Sequence, residues 1–198
     1  MEGCNMNESI QAMIQKNLII YTKYIDIDTL SSIVDLDNPI TIPKGKLVVA
    51  DDEAFFLLSG IFRGFYLDNE GNDITHHFIF ENQSYASDFL TTDKPQVCSY
   101  EALEECIALS INTKKVRDSI QTNNRLLWLY VHMLEEAMKR KIIRETSFVN
   151  KTATERYIDF KYMYPGIEKR VNQIHIASYL GITPVSLSRI RRVIREEN

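Results

Sequence analysis

The chain has 198 residues, 44% of them hydrophobic and 25% charged, with a net charge of −4. No apolar run reaches the roughly 20 residues that span a bilayer, and the acidic start from Met1 to Lys16 lacks the apolar core of a signal peptide. Three scattered cysteines, Cys4, Cys98 and Cys106, argue against a disulfide framework and point to a reducing, cytoplasmic setting.

Residues 1–38 read as helical. Ile10, Met13, Ile14 and Leu18 recur at helical spacing, as do Tyr24, Ile25, Leu30, Ile33 and Val34. Pro39 and Pro43-Lys44-Gly45 end this pattern. From Ile40 to Ile111 the punctuation becomes that of β-structure. Short runs rich in β-branched and aromatic residues fall at Lys46–Ala50, Phe55–Ser59, Phe62–Leu67, Ile74–Phe80, Cys98–Leu103 and Ile107–Ile111. Asp68 to Asp73 offers turn-forming side chains and one Gly, as a hairpin loop needs. Such spacing predicts a sandwich or barrel.

Helical periodicity returns at about Lys114. Ile120, Leu127, Val131, Leu134, Met138 and Ile142 form a heptad-like seam, and Leu126, Leu129, Tyr130, Met133 and Ala137 a second apolar face. Two faces suit a helix that packs on its own domain and on a second copy of the chain; burial in one domain is the alternative. A Ser/Asn/Thr cluster near 148–152 marks a domain boundary. Beyond it the charge changes sign. Residues 151–198 hold nine Lys/Arg and five acids, a net +4 against −8 for the rest, which suggests a local polyanion site on an acidic body; chance clustering in a short tail is the alternative.

The end of the chain carries the most specific pattern. Ile176 and Leu180 share a helical face, and Ala177 is small where a second helix must cross. Gly181 suits a left-handed helix end, Thr183 an N-cap and Pro184 a first helical turn. Leu187, Ile190 and Ile194 then form an inward stripe. Ser186, Ser188, Arg189, Arg192 and Arg195 supply outward polar and basic groups. A helix, a Gly turn and a capped helix with a basic outer face make a helix-turn-helix. Arg can pair with guanine edges or phosphates, and Ser with either. A plain helical hairpin with a solvated basic face is the competing reading.

This stretch, Ile176 to Pro184 followed by Ser186 to Arg191, resembles the Crp–Fnr family of transcription regulators, especially its short, divergent Bacteroidetes members. Thr154-Glu155-Arg156-Tyr157, with Pro165, is similar to the way their DNA-binding domain begins. Pro43-Lys44-Gly45, Gly60, Arg63 and the 69–73 hairpin fall at the family's glycine-marked strands. The resemblance implies an α+β chain in three parts: a double-stranded β-helix or jelly roll, like a cyclic-nucleotide-binding domain, over 1–113; a dimerisation helix over 114–148; and an all-α helix-turn-helix domain over 149–198. It implies a homodimer through 114–145, double-stranded DNA and RNA polymerase as partners, no membrane and no enzymatic activity. By resemblance the DNA-facing residues are Thr183, Pro184, Ser186, Ser188, Arg189 and Arg192, with Arg189 at the base-contacting arginine.

The sequence departs from the family at its phosphate cassette, a Gly-Glu pair and then an Arg before Ser or Thr. Here the two places read Asn82 to Leu90 and Pro95 to Cys98, without that acid or that arginine. A buried phosphate lacking a paired cation is costly, so cyclic nucleotide is not the expected effector, and no other cofactor is indicated. Tyr85, Ser87, Asp88, Gln96 and Val97 are the candidate effector-pocket residues. The residues after the second helix leave no room for a C-terminal wing strand. Metal chemistry is also not expected: His76 and His77 are adjacent on a strand and should point to opposite faces, and Cys4 alone lies near the N-terminus, where iron–sulphur sensors cluster cysteines. The alternative function is a small-molecule-binding β-roll acting through protein contacts instead of DNA.

Overall fold

The computed structural model describes residues 2–19, 21–48, 53–85 and 98–196. Contacts group the chain into two compact units. One comprises residues 1–64 with 78–132, the other residues 65–77 with 133–198.

The first unit opens with α1 (Glu2–Leu18) and α2 (Ile27–Ile33). Asp26 caps α2 by accepting the Thr29 amide at 2.8 Å. Asn17, buried near the end of α1, donates to the Leu58 carbonyl at 3.0 Å, so its amide is not stranded in the core. The strands are β1 (Ile40–Ile42), β2 (Leu47–Val48), β3 (Glu53–Ser59), β4 (Phe62–Leu67), β5 (Asp73–Ile79), β6 (Ser84–Tyr85), β7 (Ser99–Ala102) and β8 (Cys106–Asn112). One sheet has the order β1-β8-β3-β6 and the other β2-β7-β4-β5. That interleaving of two four-stranded sheets is the jelly roll expected from the sequence. Six of the strands match the expected runs. The short β1 and β6 were not foreseen, and residues 49–50 of the first run lie outside the described residues.

The interior of the roll is filled by side chains. Phe55, Leu57, Phe62, Ile79, Tyr100, Ala102, Cys106 and Ala108 form one buried cluster with Ile42. Gly60 (φ 105°) follows a bulge in β3, and a Cβ there would lie 2.5 Å from the Cys106 sulphur, so only Gly lets the strands approach. Arg63, 2% exposed, donates from Nε (3.1 Å) and Nη2 (2.7 Å) to one carboxylate oxygen of Glu101. An ion buried this deeply is tolerable only when so paired.

The helical region after the roll is two helices instead of one: α3 (Thr113–Ile120) and α4 (Asn124–Asn150). The Asn123 carboxamide accepts the amides of Arg125 (3.0 Å) and Leu126 (3.1 Å), starting a new helix where the heptad pattern alone would run on from Ile120. Leu126 and Leu129 of α4 are buried. Leu127, Leu134, Met138 and Ile142 are 36–57% exposed, so four of the six seam residues form an uncovered apolar stripe on α4, while Ile120 and Val131 are half-buried.

Candidate nucleic-acid interface

The second unit contains α5 (Ala153–Met163), a short 3-10 turn (Ile167–Lys169), α6 (Gln173–Leu180) and α7 (Pro184–Glu196). Each starts or stops for a local reason. Thr152 and Glu155 form a reciprocal capping box at α5: the Glu155 amide donates to Thr152 Oγ1 (3.3 Å), and the Thr152 amide to the Glu155 carboxylate (2.7 Å). Asn172 caps α6 through the Ile174 amide (3.1 Å). Gly181 (φ 66°, ψ 37°) ends α6, with its own amide on Ser178 O and the Ile182 amide on Ala177 O. That is the left-handed cap expected at this Gly. Thr183 Oγ1 accepts the Ser186 amide at 3.1 Å and opens α7 at Pro184.

The turn between α6 and α7 is clamped by groups far away in sequence. Arg144 on α4 donates to Tyr179 O (3.3 Å), and Arg156 on α5 donates to Leu180 O from Nε (3.3 Å) and Nη2 (3.2 Å). Two cations thus meet the carbonyl end of α6, where its dipole favours positive charge. The Phe148 ring lies against both guanidiniums, 5.1 Å from Arg144 and 4.9 Å from Arg156. It also lies against Gly181: a Cβ there would come within 2.8 Å of Phe148 Cε1. Nothing in residues 172–195 signals this clamp.

The inner face of α7 rests on Leu187, fully buried against a core that includes Ile176, Ala177 and Leu180. Burying such a leucine contributes about 2 kcal/mol. Arg191 belongs to this inner side as well. Its Nε is 3.3 Å from Glu168 Oε1, the atom that also accepts the Tyr157 hydroxyl. Burial, and then the Glu168 carboxylate, raise the Tyr157 phenol above its ordinary value. The three side chains tie α5, the 3-10 turn and α7 together, so one arginine of the basic tail is structural.

The candidate DNA-facing residues divide into two groups. Thr183 and Ser186 serve the helix start, their hydroxyls 3.0 Å apart, next to Pro184. Ser188, Arg189 and Arg192 are exposed on the outer face. Arg192 lies 3.9 Å from Glu196, with both side chains about 70% exposed, a pair worth little in water. Arg189 makes no hydrogen bond or ion pair among the described residues. Val185, which sequence reasoning passed over, is 62% exposed. Its helical position, four before Arg189 and seven before Arg192, sets it on the same stripe.

The tip of the β4–β5 hairpin, residues 65–77, belongs to this unit. Ser178 Oγ of α6 accepts the Thr75 amide (2.9 Å) and donates to Asp73 O (3.4 Å), while Arg144 donates to Thr75 O (3.4 Å). His76 and His77 correct an expectation here. Their rings do not diverge; the two Nδ1 atoms are 2.8 Å apart. Strict alternation is lost in β5, where both histidines are half-buried and the next two residues, Phe78 and Ile79, are both buried. One Nδ1 must donate and the other accept, so at least one ring is neutral. Burial first, and then the positive charges of His76, Arg140 and Arg144, lower His77 to about 3. Burial, Arg144 and Lys141 lower His76. No group of three or more potential metal ligands occurs among the described residues.

Of the candidate effector-pocket residues, Ser87, Asp88, Gln96 and Val97 lie outside the described residues. Tyr85 ends β6, its backbone paired with Phe55. No helix among the described residues is long and apolar enough to cross a membrane.

No protein-family model and no curated protein matches the chain. Solved structures do. FixK2 from Bradyrhizobium japonicum superposes with a TM-score of 0.70 at 14% identity, covering 81% of this chain and 85% of that one. A protein assigned to the crp/fnr family of transcriptional regulators, from Eubacterium rectale, gives 0.69 at 17% identity, covering 92% and 88%. CLP from Xanthomonas campestris, a c-di-GMP responsive global regulator, gives 0.67 at 10% identity, covering 86% and 91%. At these identities the likeness is one of fold: the chain has the β-roll and helix-turn-helix fold of crp/fnr-type regulators.

Proposed function

We propose that the chain is a sequence-specific, homodimeric DNA-binding transcription regulator of the Crp–Fnr type, without enzymatic activity. The observation that carries this reading is the outer face of α7. Ser188, Arg189 and Arg192 stand exposed on a helix whose inner face is pinned by Leu187 and Arg191. A rigid helix with unspent donors suits the major groove, where Arg can pair bidentately with guanine. The uncovered stripe of α4 supports a second copy as partner, because a two-fold pair would present two such helices to half-sites about one turn apart. The protein would act in the cytoplasm, with RNA polymerase as a further partner at promoters it activates. Its effector is not expected to be a cyclic nucleotide: the sequence lacks the cassette acid and arginine, and the buried Arg63 of the roll is already paired with Glu101.

Selection from random duplexes, followed by affinity measurement at several salt concentrations, tests the reading. A palindromic site should emerge, with affinity that falls steeply as salt rises. Arg189→Ala should weaken that site about 10- to 100-fold and random DNA far less. Sedimentation should give twice the 23.0 kDa chain mass. No duplex binding at low salt would favour a β-roll acting through protein contacts.

A further inference from the structure

The outer stripe of α7 contains one residue whose chemistry differs from its neighbours. Val185 sits in the first turn and is 62% exposed. Its spacing from Arg189 and Arg192 places it at the centre of the stripe, on the side opposite buried Leu187. A single exposed valine is ordinary on a protein surface. What distinguishes this one is its position. The reading above puts the first turns of α7 against base edges, and a valine there can neither donate nor accept a hydrogen bond.

Among the groups displayed in the major groove, only the thymine 5-methyl is apolar. Against a cytosine the same side chain would cover an amino group and leave its donor unsatisfied, which costs free energy. We infer that Val185 is a specificity-determining residue that selects thymine by its methyl group. The inference rests on the proposed DNA-reading function and adds a base to it. Val185 and Arg189 are four residues apart, about 6 Å along a helix axis, or roughly two base-pair steps. Each half-site should therefore hold a thymine within about two base pairs of the guanine read by Arg189.

The test pairs a protein change with a DNA change. The half-site is first selected from random duplexes with the full-length protein. Each thymine within it is then replaced by deoxyuridine, which removes the methyl and keeps every hydrogen-bonding group. The same duplexes are measured with Val185→Ser, an exposed change whose unaltered thermal melt shows that folding is retained. One deoxyuridine position should cost the parent protein about fourfold per half-site, the worth of one buried methyl, and about fifteenfold when placed in both half-sites. Val185→Ser should bind the two duplexes equally within about 1.5-fold. A selected site without thymine near the guanine overturns the inference and leaves the DNA-reading function standing. So does a deoxyuridine penalty of the same size in both proteins. Absence of any sequence preference in the parent protein overturns the DNA-reading function itself, and the inference with it.

Discussion

The C-terminal helices and the β-roll are held by bonds of different reach. The ends of α6 and α7 are set by groups close in sequence, although the turn between them is also clamped from Arg144 and Arg156. Asn172 bonds two residues on, Thr183 three residues on, and Gly181 closes the helix it follows. In the roll they are distant: Arg63 meets Glu101 across 38 residues, and β1 pairs with β8. Short-range bonds can be read from a sequence window; long-range ones are specified only by the assembled core. The two regions should therefore fail in different ways when single residues are changed.

The largest effect is expected in the roll. Glu101→Ala removes the carboxylate that accepts two bonds from the buried Arg63, a loss of about 2–3 kcal/mol. Thermal unfolding of the roll should shift down by many degrees. A shift no larger than that of an exposed change would show that the pair is dispensable.

Acid tests the hairpin tip. His76 and His77 both have folded-state values below the ordinary 6.5. The folded form therefore binds fewer protons, and their contribution to stability is intact above about pH 6.5. It is lost as pH falls from there toward the folded value of about 3. For His77 the loss between pH 7.5 and 5 is up to about 2 kcal/mol. Denaturant titrations at the two pH values should show a steeper loss for the parent protein than for His77→Gln. Equal losses would mean that the histidine pair does not sense protonation.

A smaller effect separates local conformation from long-range contact at one position. Gly181→Ala puts a Cβ on a residue with φ 66° and 2.8 Å from the Phe148 ring. The left-handed backbone costs about 1–2 kcal/mol. The ring is 41% exposed and can yield, so the clash should add little. The loss should persist when Phe148→Ala is combined with it, as chemical denaturation can show. Full rescue by the second change would make the clamp, not the cap, the controlling feature.

Legibility follows the same division. The helix-turn-helix was readable because Gly181, Thr183 and Pro184 each impose a backbone conformation on their own neighbours. Six strands were readable from β-branched and aromatic runs. The remaining two, of three and two residues, are too short to show alternation and exist because β8 and β3 lie beside them. The break before α4 was missed because apolar spacing continues through it, while a single Asn123 side chain decides it. Val185 was missed because hydrophobicity alone marks a residue for the core. Its exposure became visible only once the inward face of α7 was occupied by Leu187 and Arg191.

Two of the arginines in the C-terminal half, Arg189 and Arg191, differ in what decides their place. Sequence alone determined that a capped, basic helix follows Gly181, since caps and charge act over a few residues. Only the tertiary structure decided that Arg191 turns inward to Glu168 while Arg189 makes no hydrogen bond or ion pair among the described residues, because that depends on where the 3-10 turn lies. Strand order in the roll, and the joining of Thr75 to Ser178 across 103 residues, belong to the same class. They arise when a buried core and its unsatisfied polar groups select one arrangement from many that local preference allows.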